Sequence, residues 1–160
     1  MRLFNLICCV SISAVVVGCA VLKEPEVKRF KDMSNYKYAI VGQTQHVSSS
    51  IGYGSVGNLS GYSGSVSKSV NPSEVITGIL MKKGYIIVDK AENDSTFMVT
   101  YGQGDKRNVL GGLGGYTLGV TIQMLDAKSK EALFVCSAEG KGSTEADDIR
   151  IAIERCLKDF

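Results

Sequence analysis

Sulfur is the most reactive chemistry in the chain, with five cysteines at positions 8, 9, 19, 136 and 156. Set against them is one histidine, His46, which removes every His-pair metal site and most acid–base machinery. His46 lies in Gln43-Thr44-Gln45-His46-Val47, where no Ser-His-Asp order can be built around it, so it reads as an exposed polar residue. The acidic residues are dispersed, with no Asp-x-Asp-x-Asp loop and no paired-glutamate helix, and no metal site is expected. Gly111-Gly112-Leu113-Gly114-Gly115 has the composition of a phosphate cradle, but such a loop needs a helix N-terminus behind it and a strand pattern follows instead. It reads as a turn, with Asp105-Lys106-Arg107 as a solvated tip. No catalytic residue and no cofactor are expected. Residues 42–70 are harder to dismiss: 29 positions hold six Gly and nine Ser around Tyr53 and Tyr62. Two tyrosines among many hydroxyls can line a carbohydrate or protein surface. The competing reading is a flexible insertion without a ligand, or a weakly specified hairpin.

The elements that must position these groups follow from periodicity. Tyr36 to Val41 alternates and is rich in aromatic and branched residues, which predicts a first strand. Asn71-Pro72-Ser73-Glu74 is a helix start, Val75, Ile76, Ile79 and Leu80 make its apolar face, and Gly84 ends it. Tyr85 to Val88 is apolar on both faces and predicts a central second strand, followed by a third at Thr96–Tyr101. In the fourth strand Leu118, Val120, Ile122 and Met124 face one way and Thr117, Thr121 and Gln123 the other; the fifth runs from Glu131 to Ala138. Thr144 caps a last helix whose stripe is Ile149, Ala152, Ile153, Cys156, Leu157 and Phe160. The order β-α-β-β-β-α is an α+β fold, a mostly antiparallel sheet covered by two helices. Chain reversals then place the 42–70 and 102–115 loops at opposite ends of the sheet, which argues against one site built from both.

On these elements Cys136 shares a strand face with Phe134 and Ala138, while Cys156 lies on the stripe of the closing helix. The two thiols can bridge within that layer, or stay apart as small buried hydrophobes.

The first residues read as an address. A positive start at Arg2 precedes an apolar run from Leu3 to Val17, too short to span a bilayer, as in a secretory signal. The run ends in Val16-Val17-Gly18-Cys19-Ala20. This string resembles the lipobox of bacterial lipoproteins, and the resemblance implies cleavage before Cys19, thioether lipidation of its thiol and acylation (palmitate-type) of the new amine. Ala20 stands where an inner-membrane retention signal would carry Asp, so the family pattern implies the outer membrane. Residues 1–18 are then the signal peptide, 19–35 a lipidated cysteine and solvated tether, and 36–160 a single α+β domain with the insertion at 42–70.

The domain resembles small bacterial envelope lipoproteins with an α+β fold, through Tyr36–Val41, the Pro72–Gly84 helix running into Tyr85–Val88, Ser95–Tyr101 and the closing helix Asp148–Leu157. The resemblance implies location and architecture but no reaction. The formal charge of +2, from 18 basic and 16 acidic residues, offers no field for nucleic acid. The expected function is therefore a non-enzymatic, lipid-anchored binding or assembly module of the envelope, with an envelope protein or glycan as partner. The alternative is a small wall- or glycan-directed hydrolase or inhibitor that uses the 42–70 insertion.

Overall fold

The computed structural model describes residues 22–52, 65–91, 93–109 and 115–160. Its main sheet has six strands. In chain order these are β1 (Glu26–Arg29), β2 (Tyr38–Val41), β5 (Ile86–Ile87), β6 (Thr96–Asn108), β7 (Tyr116–Asp126) and β8 (Ala132–Gly140), arranged β1-β8-β7-β6-β2-β5. A separate two-stranded sheet pairs β3 (Val47–Gly52) with β4 (Ser65–Val70), and the helices are α1 (Pro72–Lys82) and α2 (Glu145–Leu157). The fold is α+β, mixed but mostly antiparallel.

Both helix starts form by local chemistry. The Asn71 side chain accepts from the Ser73 amide ahead of Pro72, and Gly84 closes α1 at φ +90, a conformation that glycine adopts without a steric penalty. At α2 the Thr144 hydroxyl oxygen accepts from the Asp147 amide at 3.2 Å. The α2 stripe of Ile149, Ala152, Ile153, Cys156 and Leu157 is buried to 2% exposure or less and packs on β7 and β8. Beneath it the strand alternation holds from Leu118 onward: Leu118, Val120, Ile122 and Met124 are buried, while Gly119, Thr121 and Gln123 on the other face are half-exposed; Thr117, expected with them, is buried. One sheet face is thus covered and the other wetted, as antiparallel sheets permit. The end where β6 and β8 begin is filled by rings of Tyr36, Tyr85, Phe97, Phe134 and Phe160 at centroid distances of 5.0–6.2 Å.

The disulfide Cys136–Cys156 joins β8 to α2 with Cα atoms 5.6 Å apart. Such an approach is closer than a helix normally lies above a sheet. Gly140 makes room for it: a Cβ there would meet the Asp148 carbonyl oxygen at 1.8 Å and the Ala152 nitrogen at 2.9 Å.

Three expectations need correction. Residues 19–35 are not a free tether from end to end, because β1 pairs with β8 from Glu26↔Ser137 to Arg29↔Phe134. The ladder supplies main-chain hydrogen bonds that a charged side-chain pattern does not reveal. For residues 42–70 the hairpin alternative holds at the two ends, which form β3–β4 against α2. The strand at residues 85–88 is not central: it shortens to two residues at the sheet edge, with Ile86 54% exposed. Because the chain then crosses to the other side of β2, β6 runs parallel to β2. That crossing reverses the inference about loops. The segments following β2 and β6 leave the sheet at the same end, the end at which α2 begins.

Candidate functional site

Polar chemistry collects at that end, around the N-terminus of α2. Asp147, three residues past the cap, is almost buried. Its carboxylate accepts from Lys68 Nζ at 2.8 and 3.1 Å, from Ser143 Oγ at 2.5 Å, from Thr144 Oγ1 at 3.1 Å and from an Arg150 guanidinium nitrogen at 3.2 Å. The Lys68 ammonium above all, then the Ser143 hydroxyl, holds this carboxyl well below the usual carboxylate range. Next to it, burial pushes Asp148 up, against the opposing pull of the Gly142 amide that donates to it. The Ala146 amide donates to Ser49 Oγ of the hairpin at 3.2 Å. The first-turn amides of Ala146, Asp147 and Asp148 are therefore occupied, the last by the Thr144 carbonyl.

β6 contributes through a bulge. Between Gln103 and Lys106 its register with β7 slips, so that Gln103 faces Val120 and Lys106 faces Leu118. Residues three apart on a regular strand point to opposite faces. The extra residue at Gly104-Asp105 puts both on the helix-facing side, where the Gln103 amide donates to Glu145 at 3.1 Å and Lys106 Nζ at 2.9 Å. Lys106 also lies 4.9 Å from the centre of the Tyr116 ring. The Tyr101 hydroxyl, on the same side of β6, is buried with no hydrogen-bond partner among the described residues, and burial followed by the Glu145 charge pushes it up to about 12.

On the open face Arg107 forks onto Glu139 at 2.8 and 2.5 Å and holds that carboxyl below its ordinary value. Glu139 also accepts from the Lys23 amide at 3.3 Å, while Arg155 donates to the Glu139 carbonyl at 2.6 Å and to the Lys23 carbonyl at 2.8 Å. The chain ahead of β1 is thereby clasped to the end of β8. The Asp105-Lys106-Arg107 segment is thus no solvated tip: two of its three charges are paired with acids across the fold.

This cluster uses its charges on itself. Its carboxylates are engaged by cations, hydroxyls and amides, which makes it a clasp for the hairpin, the bulge and the N-terminal segment. Elsewhere, a cleft of 620 Å³ opens between α1 and β2, with Gln43, Ser73, Glu74, Thr77 and Asp89 on its wall. Among the described residues no three His, Cys, Asp or Glu side chains gather as a metal set, and no helix is long and apolar enough to cross a membrane.

Of the residues singled out by sequence, Cys136 and Cys156 are brought together, and His46 is exposed just ahead of β3. Cys19, Tyr53 and Tyr62 lie outside the described residues. Periodicity does not reveal Lys68, Asp147 or Glu145 as partners, and residues 102–108, which read as part of a loop, instead continue β6 through the bulge at Gly104-Asp105.

No family model matches the chain, and no curated protein matches it. Among solved structures, a PelC dodecamer from Paraburkholderia phytofirmans is similar at 12% identity with a TM-score of 0.46, over 86% of this chain and 93% of that one. A PDZ domain protein from Parabacteroides distasonis is similar at 12% identity with a TM-score of 0.47, over 84% of this chain and 35% of that one. The chain thus spans about a third of the second protein's length. Neither likeness carries a functional argument.

Proposed function

We propose that the protein is a lipid-anchored module of the bacterial cell envelope, acting by binding or assembly and not by catalysis. The observation that carries this reading is the string Val16-Val17-Gly18-Cys19 behind a short apolar run, where a thiol in that setting is the acceptor of a diacylglyceryl group. Each buried methylene of such a group contributes about 0.8 kcal/mol, so several chains on Cys19 hold the protein firmly. The α2 cluster supports the second half of the reading. A catalytic acid or base needs a free proton-transfer position, whereas Asp147, Glu139 and Glu145 are held in their charged form by fixed partners. Ala20 after the cysteine favours the outer membrane, with an envelope protein or glycan as the partner class and no role for nucleic acid.

The test is Cys19→Ala in the full chain, followed by cell fractionation and detergent phase partitioning. The variant is expected to remain an unprocessed precursor without the lipid mass on its N-terminal peptide. A variant that is processed and still enters the detergent phase would overturn the anchor.

A further inference from the structure

The clasp at Lys23 bears on how the domain meets a membrane. The described chain begins at Leu22, and Lys23 is fixed by both main-chain groups to the end of the main sheet, its amide to Glu139 and its carbonyl to Arg155. Only three residues stand between Cys19 and Lys23, and the four Cα-to-Cα steps that join them reach at most about 14 Å in any conformation. β1 runs antiparallel to β8, so the chain travelling back from Glu26 to Lys23 heads toward the end where β8 finishes and α2 starts. The paired strands β6 and β7 extend past the clasp at the same end. Glu139 is level with Gly119, whereas Asn108 pairs with Tyr116, three residues further out, or roughly 10 Å at the rise of an extended strand.

We infer that this end of the sheet, formed by the β6 and β7 strand ends and the start of α2, is a lipid-facing surface held against the bilayer by its short N-terminal connection. The inference rests on the lipid anchor proposed above and adds an orientation to it. A bilayer is the occupant because the leash is shorter than the domain. The turn at residues 127–131 stands at the far end of β7, roughly 30 Å from Tyr116 along an 11-residue strand, and no leash of this length lets it approach the surface first. The side chains at the near end suit a headgroup layer. Tyr116 lies under the Lys106 ammonium, an amphipathic ring beside a cation, and Glu139 and Glu145 are neutralised by Arg107 and Lys106, so they repel lipid phosphate less than bare carboxylates would. Asp105, Glu24 and Glu26 are exposed acids near them.

The experiment uses the full-length lipidated protein in phosphatidylethanolamine–phosphatidylglycerol vesicles that carry a headgroup nitroxide. A fluorophore is placed in turn on Asn108→Cys and Lys128→Cys, both exposed positions; with Cys19 acylated and Cys136 joined to Cys156, the introduced thiol is the reactive one. Quenching at Asn108 is expected to exceed that at Lys128 about threefold or more, given their separation along the sheet. Equal quenching, or stronger quenching at Lys128, would overturn the orientation while leaving the anchor intact. An unmodified Cys19 and a protein absent from the vesicles would overturn both. A Gly/Ser spacer of about twenty residues after Ala20, with a root-mean-square span of roughly 25 Å, is expected to lower quenching at Asn108 to the Lys128 level. Undiminished quenching with the spacer would show that the short connection is not what holds this face down.

Discussion

Replacing both Cys136 and Cys156 by alanine should destabilise the protein by about 4 kcal/mol. The larger part is the unfolded state: the bridge closes a loop across a sequence separation of 20, and opening such a loop restores chain entropy of about 3 kcal/mol. The remainder is packing. Cys136 is 0% and Cys156 2% exposed, and deleting two buried sulfur atoms forfeits roughly 1 kcal/mol or somewhat more, by analogy with buried methylenes. For a domain of this size the sum corresponds to a fall in Tm of roughly 10–15 °C. Urea unfolding of three samples separates the contributions: oxidised wild type, reduced wild type and the double variant. The reduced protein and the variant should both show a steeper m-value than the oxidised protein, because their unfolded chains expand further. Coincident midpoints for oxidised and reduced wild type would refute the loop argument. A variant that loses less than about 1 kcal/mol would refute the packing argument as well.

Gly140→Ala should cost about 3 kcal/mol or more, since the added carbon overlaps the Asp148 carbonyl and α2 must lift off the sheet; thermal unfolding reads it, and an unchanged Tm would show that the helix has slack. Lys68→Met should cost about 1 kcal/mol, the Lys68 side chain being 44% exposed, and should speed hydrogen exchange at the Ser69 and Val70 amides while leaving Val120 unchanged. The pH dependence has two signs. Asp147 is held below its unfolded value by Lys68 first, and Asp126 is lowered to about 2 by the Ser129 amide first and the Tyr36 hydroxyl second. Their stabilisation is therefore complete above about pH 4 and lost as pH falls through the folded values. Asp148 is raised by burial, so it detracts from stability as pH climbs past its unfolded value. In urea titrations Asp147→Asn should flatten the acid limb, and Asp148→Asn should remove the decline above about pH 4.

What the sequence determined by itself is what short-range physics decides. Capping at Asn71 and Thr144 needs only a side-chain oxygen within three residues of an unpaired amide. The stripe of α2 and the alternation of β8 need only a period, and together they placed Cys136 and Cys156 in one layer. Strand order is different, because a strand's neighbours are chosen by pairing energies summed over the whole sheet. Ile86–Ile87 is too short to compete for a central place once β6, 13 residues long with Phe97 and Val99 buried, lies alongside β2. Glu26–Arg29 carries no strand pattern, and its ladder to β8 exists only because β8 leaves an edge open. From those two pairings follows the rest of the candidate surface. They bring the ends of β2, β6 and β8 to one side, and the bulge then turns Gln103 and Lys106 together toward Glu145. Residues as distant as Lys68 and Asp147 become partners there by tertiary packing, since no local rule links positions 79 apart in the chain.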